Sequence, residues 1–478
     1  MSHRHLTISA GAVALAVAAG SAVAWAPAGA AAGDGTSAAL GTTFTPGAAG
    51  AGDPYFPLAG NGGYDARHYD LRLAYDPSSG RLSGSSAMRA RATQDLSRFD
   101  LDLTGLAVSG VTVDGRTAQA SRDGQELVIT PAAGIRSGHT FSVEVQYAGM
   151  PRVITDADGS IEGWVRTADG SFVVGEPVGS MSWFPSSNAP SDKASYDLHM
   201  TVPTGTSVWG NGVLRSHDTS AGRTTYWWHQ SQPIPTYLVT ATLGRFDQRT
   251  GRTAHGLPVY LAVDPSVTGS PWSTLQRSAE ITDWEATQFG RYPFSATGGV
   301  VDNARSVGYA LETATKPMYD RAPDLLTVVH ELGHQWFGDS VTPRLWKDIW
   351  LNEGFATYVE WLWTERHGGL TAEAQLKTLL AKYPASDPFW KLPPANPGGP
   401  ANLFSTPVYE RGAMALVALR QRIGDAAFAR LLRTWATQHR YGGASTADLL
   451  RTAERVSGQQ LDGLFDAWLY QPSRPAGT

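Results

Sequence analysis

The spacing of apolar residues changes period once along this chain, and that change restricts the possible folds more than any other feature. In the first half, apolar residues take every second position. Tyr69, Leu71, Leu73 and Tyr75 do so, as do Phe99, Leu101 and Leu103, then Phe141, Val143, Val145 and Tyr147, then Tyr196, Leu198, Met200 and Val202. A strand points successive side chains to opposite faces, so this alternation predicts half-buried strands. Asp-Gly pairs at Asp114 and Asp123 mark turns between them. After Phe246 the spacing becomes helical, beginning with "WSTLQRSAEITDWEATQFG", and stays so to the C-terminus apart from "SVGYALETATKPMY", which suits a strand and turn. The expected architecture is an α+β multidomain chain. Residues 64–248 form an all-β domain and residues 249–478 a mainly helical one.

The N-terminal residues fit neither pattern. "MSHRHLTISAGAVALAVAAGSAVAWAPAGA" carries Arg4 before an apolar run and ends in small residues such as Ala28-Gly29-Ala30. This reads as a signal peptide over residues 1–30, hence a secreted, extracellular protein. Residues 31–63, rich in Ala, Gly, Thr and Pro, are expected to be a flexible leader. No later stretch is apolar enough to span a bilayer, so no membrane insertion is expected once the signal is removed. A net charge of -5 offers no basic field for phosphates, which argues against nucleic acid as a partner. There are no cysteines, so disulfides, thiolate ligands and a cysteine nucleophile are excluded.

A metal site must therefore use His, Asp and Glu, and one stretch places them suitably: "TVVHELGHQWFGDSVTPRLWKDIWLNEGFATYVEW". Pro323 suits the start of a helix running through "DLLTVVHELGHQWFG" toward Gly338. Four residues apart on that helix, His330 and His334 project from one face and can reach one cation. Glu331 lies beside that cation, where a base must be to take a proton from water. Glu353 sits on a second helix expected from Asn352 to Arg366, and two histidines with a glutamate form one of the known catalytic zinc sets. Ser340 stands where a metzincin would need its third histidine, which excludes that class.

Around these residues the chain resembles the M1 family of zinc aminopeptidases within the gluzincins. The resemblance rests on "HELGHQWFGDSVTPRLWKDIWLNEGFA" and extends through "YDLRLAYDPSSGRLSG", "TYWWHQSQPIPTYLVTATLGRFD" and "YERGAMALVALRQRIGDAAFARLL". It implies a saddle-like N-terminal β domain followed by a thermolysin-like catalytic domain, with one Zn2+ per chain. His330, His334 and Glu353 would be its ligands, Glu331 the general base, and Tyr409 the donor to the tetrahedral intermediate. "YALET", residues 309–313, falls where the family carries Gly-x-Met-Glu-Asn. Glu312 would then bind the substrate's free amine, Glu176 would be a second amine binder, and Ala310 and Leu311 would contact the peptide. The implied partners are peptides with a free N-terminus; nothing in the sequence sets the oligomeric state.

The chain departs from the family at Tyr309, Leu311, Thr313 and Val174, which replace glycine, methionine, asparagine and glutamine. Both amine-binding carboxylates remain, but the peptide contacts differ. The resemblance covers about residues 64–472 and lacks the large helical domain that roofs the cleft in longer members, so a more open cleft is expected. Three further activities fit the same residues. These are a zinc endopeptidase, an epoxide hydrolase as in one branch of the family, and a non-catalytic peptide-binding protein.

Overall fold

Three of the four alternating sets line the inner face of an eight-stranded sheet, and Phe99 and Leu101 belong to a separate four-stranded one. In the computed structural model, which describes residues 43–478, Phe44–Thr478 form one compact unit. The larger sheet is centred on Tyr64–Asp76 and Ala194–Pro203, which run parallel with Tyr69 opposite Tyr196 and Leu71 opposite Leu198. Antiparallel neighbours extend it on both sides, Arg81–Ala92 and Thr140–Gly149 on one and Arg223–Ile234 on the other. Tyr69, Leu71, Leu73, Tyr75, Phe141, Val143, Val145, Tyr147, Met200 and Val202 are all buried, as period-2 spacing requires. At the Asp114-Gly115 turn both residues have positive φ, 50° and 74°, and the flanking Val113 and Arg116 pair directly. That is the backbone twist a two-residue hairpin demands.

The mainly helical half also carries a five-stranded sheet, which takes in the strand and turn expected at "SVGYALETATKPMY". Asp247–Arg252, Pro258–Val263, Thr297–Val301, Met318–Tyr319 and Ala310–Leu311 form five strands in that spatial order. Thr297–Val301 is buried at every position, so no polar alternation advertised it. Ala310–Leu311 is the edge strand, paired on one side only, and it leads directly into Glu312.

The flexible leader is corrected over its described part. Thr45–Pro46 pairs with the strand Leu96–Asp102. Asp53 is buried, and its carboxylate accepts from the N–H groups of Tyr55 at 2.8 Å and Trp346 at 2.6 Å. A segment with few apolar side chains is thus fixed by one acid that satisfies backbone donors from two parts of the chain. The signal-peptide reading and residues 31–42 lie outside the described residues.

Two helices that pack on each other carry the second half. In Trp350–Arg366 every residue from Trp350 to Trp363 is buried, so this helix is enclosed on all sides. It crosses Thr406–Ile423 at a glycine pair: a Cβ on Gly354 would lie 2.9 Å from the Gly412 Cα. Backbone meets backbone there, and Glu353 and Tyr409 are carried on these two helices one and three residues from the crossing. Beyond it, Arg411 is fully buried without a carboxylate partner, and its guanidinium donates to the carbonyls of Trp390, Trp468 and Gln471 at 2.9, 2.8 and 2.6 Å. This ties the last residues of the chain to the helix that holds Tyr409. Replacing Gly354 with alanine should force the helices apart and lower stability by about 1–3 kcal/mol in urea unfolding. Alanine at Gly463, a helical position where a Cβ would meet nothing within 4 Å, should leave the unfolding midpoint unchanged or raise it slightly.

Candidate metal centre and amine pocket

The first helix of the site is shorter than its periodicity predicts. It spans Leu325–Gly333, with Asp324 as N-cap accepting from the Thr327 N–H, and the chain turns at His334 instead of continuing to Gly338. The turn folds beneath the imidazole, so that His334 Nδ1 donates to the Phe337 carbonyl at 3.0 Å. Gly338 makes this possible, with φ of 143° and a virtual Cβ only 3.0 Å from His334 Nδ1. The helix of Glu353 starts two residues earlier than expected, at Trp350, and ends at Arg366 as expected.

These elements bring His330, His334 and Glu353 together. The Glu353 Oε2 atom lies 3.3 Å from His330 Nε2 and 3.5 Å from His334 Nε2. Ligands held about 2.0 Å from a tetrahedral ion lie about 3.3 Å from one another, so the donor spacing fits zinc. Each imidazole has its other nitrogen engaged, His334 as described and His330 through Nδ1, 2.7 Å from Glu360 Oε1. A neutral ring so held presents the Nε2 lone pair to the centre. Glu360 was missed in the sequence. It lies seven residues after Glu353 in the same helix, two turns along the same face, and that spacing was the available signal.

The remaining candidates gather at the same place. Glu312, Glu331 and His334 offer ligand atoms within 4.8 Å of one another, and so do Glu176, Glu312 and Glu353. Burial pushes the Glu331 carboxyl up to about 8 against the pull of His330 and His334. Burial also raises Glu176, with Glu312 and Glu353 adding to it, and it raises Glu312. Glu353 is held at about 2 because the two imidazoles outweigh its burial. Tyr409 stacks near His330, ring centres 6.1 Å apart, and burial followed by the negative field of Glu353 keeps its hydroxyl protonated.

Other residues fix the two loops that carry Glu176 and Glu312, and sequence reasoning missed them. Gln335, fully buried, donates to the Glu312 carbonyl at 3.1 Å and accepts from the Thr315 N–H at 2.7 Å. Glu162, also buried, accepts from the N–H groups of Val178 and Gly179 at 3.0 and 2.7 Å, just past Glu176. Next to it, the Ile161 carbonyl accepts from the Tyr309 hydroxyl at 3.0 Å. One strand, Ile161–Arg166, thereby holds both the Glu176 loop and the residue preceding Ala310. Among the described residues no helix is long and apolar enough to cross a membrane.

Comparison with known proteins agrees with this geometry. The peptidase M1 N-terminal domain matches residues 65–238 and the peptidase family M1 domain residues 304–468. Aminopeptidase M1-B of Oryza sativa subsp. japonica is 26% identical over 452 residues, 85% of this chain and 50% of that protein. Aminopeptidase N of Lactococcus lactis is 27% identical over 322 residues, 61% of this chain and 38% of that protein. The chain thus spans about half the length, or less, of these relatives. Its match to solved structures covers nearly the whole of each solved chain. An M1 zinc metallopeptidase from Deinococcus radiodurans, 30% identical, superposes with a TM-score of 0.82 over 90% of this chain and 100% of that one. A mutant of that organism's enzyme bound to a Tyr-Ser-Ala substrate superposes at 0.80 with 30% identity, over 88% of this chain and 97% of that one. With a β-rich N-terminal domain, a helical domain holding the donor set of a zinc enzyme, and a full-length structural counterpart, this chain belongs to peptidase family M1.

Proposed function

We propose that this chain is an exported zinc aminopeptidase that removes N-terminal residues from peptides. The observation that carries the reading is the overlap of two triads. A His-His-Glu set suited to a catalytic ion shares Glu353 with a buried pair of carboxylates, Glu176 and Glu312. A free α-ammonium, with a pKa of about 8, is largely charged at neutral pH and complements that pair. Anchoring the amine there leaves only the first peptide bond within reach of the ion. The structural neighbours include two-domain M1 zinc metallopeptidase mutants bound to L-arginine and to L-tryptophan. Export rests on the N-terminal sequence, and the division at residues 64–248 and 249–478 on its patterning.

In this reading His330, His334 and Glu353 hold the zinc, and Glu360 orients His330. Zinc supplies a Lewis acid for the carbonyl and lowers the pKa of water toward ~7. Glu331 takes a proton from the attacking water and passes it to the leaving amine. Its placement in a dry site keeps its proton affinity close to the working pH. The Tyr409 hydroxyl donates to the oxyanion as it forms. Ala310–Leu311, an edge strand with one side unpaired, offers backbone groups to an extended peptide.

Aminoacyl-fluorophore substrates with a free amine should be cleaved and their N-acetyl counterparts should not. Equal turnover of both, or cleavage inside an internally quenched, N-blocked peptide, would indicate an endopeptidase instead. Glu331→Gln should retain zinc and lower kcat by roughly 10²–10⁴-fold. Tyr409→Phe should cost roughly 10²–10³-fold, read from the same assay.

Zinc affinity should depend on pH in a direction set by the imidazoles. Without the ion, carboxylates around it raise both histidines against their burial, His334 to about 9. A raised pKa means that the proton is held below it and lost above it, so zinc must displace protons throughout the neutral range. Affinity measured against a competing chelator should rise steadily from pH 5 to about 9. A flat profile would contradict histidine ligation. Glu360→Gln should weaken zinc binding by roughly 10–100-fold in the same titration.

A further inference from the structure

The site gathers more buried acids than one zinc ion uses. Glu353 and Glu360 are each engaged by an imidazole. Glu331 is assigned to the attacking water, and the two remaining acids differ. Glu176 and Glu312 are 6% and 2% exposed, and one carboxylate oxygen of each is buried with no hydrogen-bond partner. No lysine or arginine pairs with either among the described residues, whereas Glu162, equally buried, accepts from two backbone N–H groups. Glu176 and Glu312 are therefore acceptors aimed at something that is not part of the chain.

We propose that Glu176, Glu312 and Glu353 form a second divalent-cation site, which zinc in excess occupies in competition with the substrate's ammonium. Their three ligand oxygens lie within 4.8 Å of one another. The triad shares only Glu353 with the histidine set, and a carboxylate has two oxygens, so both sets can be filled at once. The third grouping, Glu312, Glu331 and His334, cannot be filled alongside the first, because His334 has a single free nitrogen. A dication balances both otherwise unpaired carboxylates, while an ammonium balances one. Oxygen-only donors bind zinc less tightly than a set with two imidazoles, so the second ion is the weaker one. The proposal rests on the zinc reading of the first triad.

The full chain, stripped of metal with a chelator and titrated calorimetrically with Zn2+, should take up two equivalents, the second weaker. Glu176→Gln and Glu312→Gln should each retain the first and weaken the second by roughly tenfold or more. Crystals of the unmodified protein soaked in excess zinc should show two anomalous peaks about 3.5–4 Å apart. Excess zinc should raise KM for free-amine substrates and leave kcat unchanged. One equivalent and one peak would overturn the second site and leave the metal centre standing; no uptake would overturn both. A second peak elsewhere would also overturn it. The alternative on the outer face of the large sheet is His229, His68 and Asp197, where Asp197 lies 2.8 and 3.4 Å from the two rings.

Discussion

Everything in this site depends on two imidazole nitrogens from one helix end meeting one carboxylate oxygen from another helix. At 3.3 and 3.5 Å the contact is as close as hydrogen-bonded atoms, yet it joins groups that would each prefer water. Two like charges 4 Å apart at an effective dielectric of about 20 repel by about 4 kcal/mol. Glu176, Glu312, Glu331 and Glu353 are all buried in overlapping groups, so the cavity is stable only if cations or protons offset them. The raised carboxyls of Glu176, Glu312 and Glu331 are the protonic answer to that requirement. Under the proposed function a metal ion and a substrate ammonium would be the other two answers, each displacing protons as it enters.

Such a cluster holds its shape only if its supports are stiff. Gln335 bridges the helix of the histidines to the loop of Glu312, and Glu162 clamps the turn beyond Glu176. The Gly354–Gly412 contact sets the distance between the helices of Glu353 and Tyr409, and Arg411 secures the second of them from behind. These supports are hydrogen bonds to backbone and backbone-to-backbone packing, both of which fix position more tightly than apolar side-chain contact does.

The legibility of the site followed the range of the interactions that build it. His330, His334, Glu331 and the helix of Glu353 were readable because helical geometry relates residues three and four apart, a local rule. The alternating strands were readable for the same reason. Thr297–Val301 was not, because a strand buried on both faces has no alternation to read. The early end of the first helix was hidden too: Trp336 and Phe337 continue the apolar pattern, and the turn is set by the His334–Phe337 hydrogen bond and the backbone of Gly338. Glu162 lies 150 residues before Glu312, and no pattern within its own strand distinguishes it from a solvated glutamate.

Tyr309 shows how a departure from family pattern can be absorbed. The edge strand Ala310–Leu311 pairs with Met318–Tyr319 on one side only. Tyrosine adds a long-range tie, since its hydroxyl donates to Ile161, beside the glutamate that clamps the Glu176 turn. The Glu176 turn and the residue preceding Ala310 are thus tied to adjacent residues of one strand, while Gln335 holds the Glu312 carbonyl from the histidine side, so both carboxylates are fixed by buried hydrogen bonds to backbone.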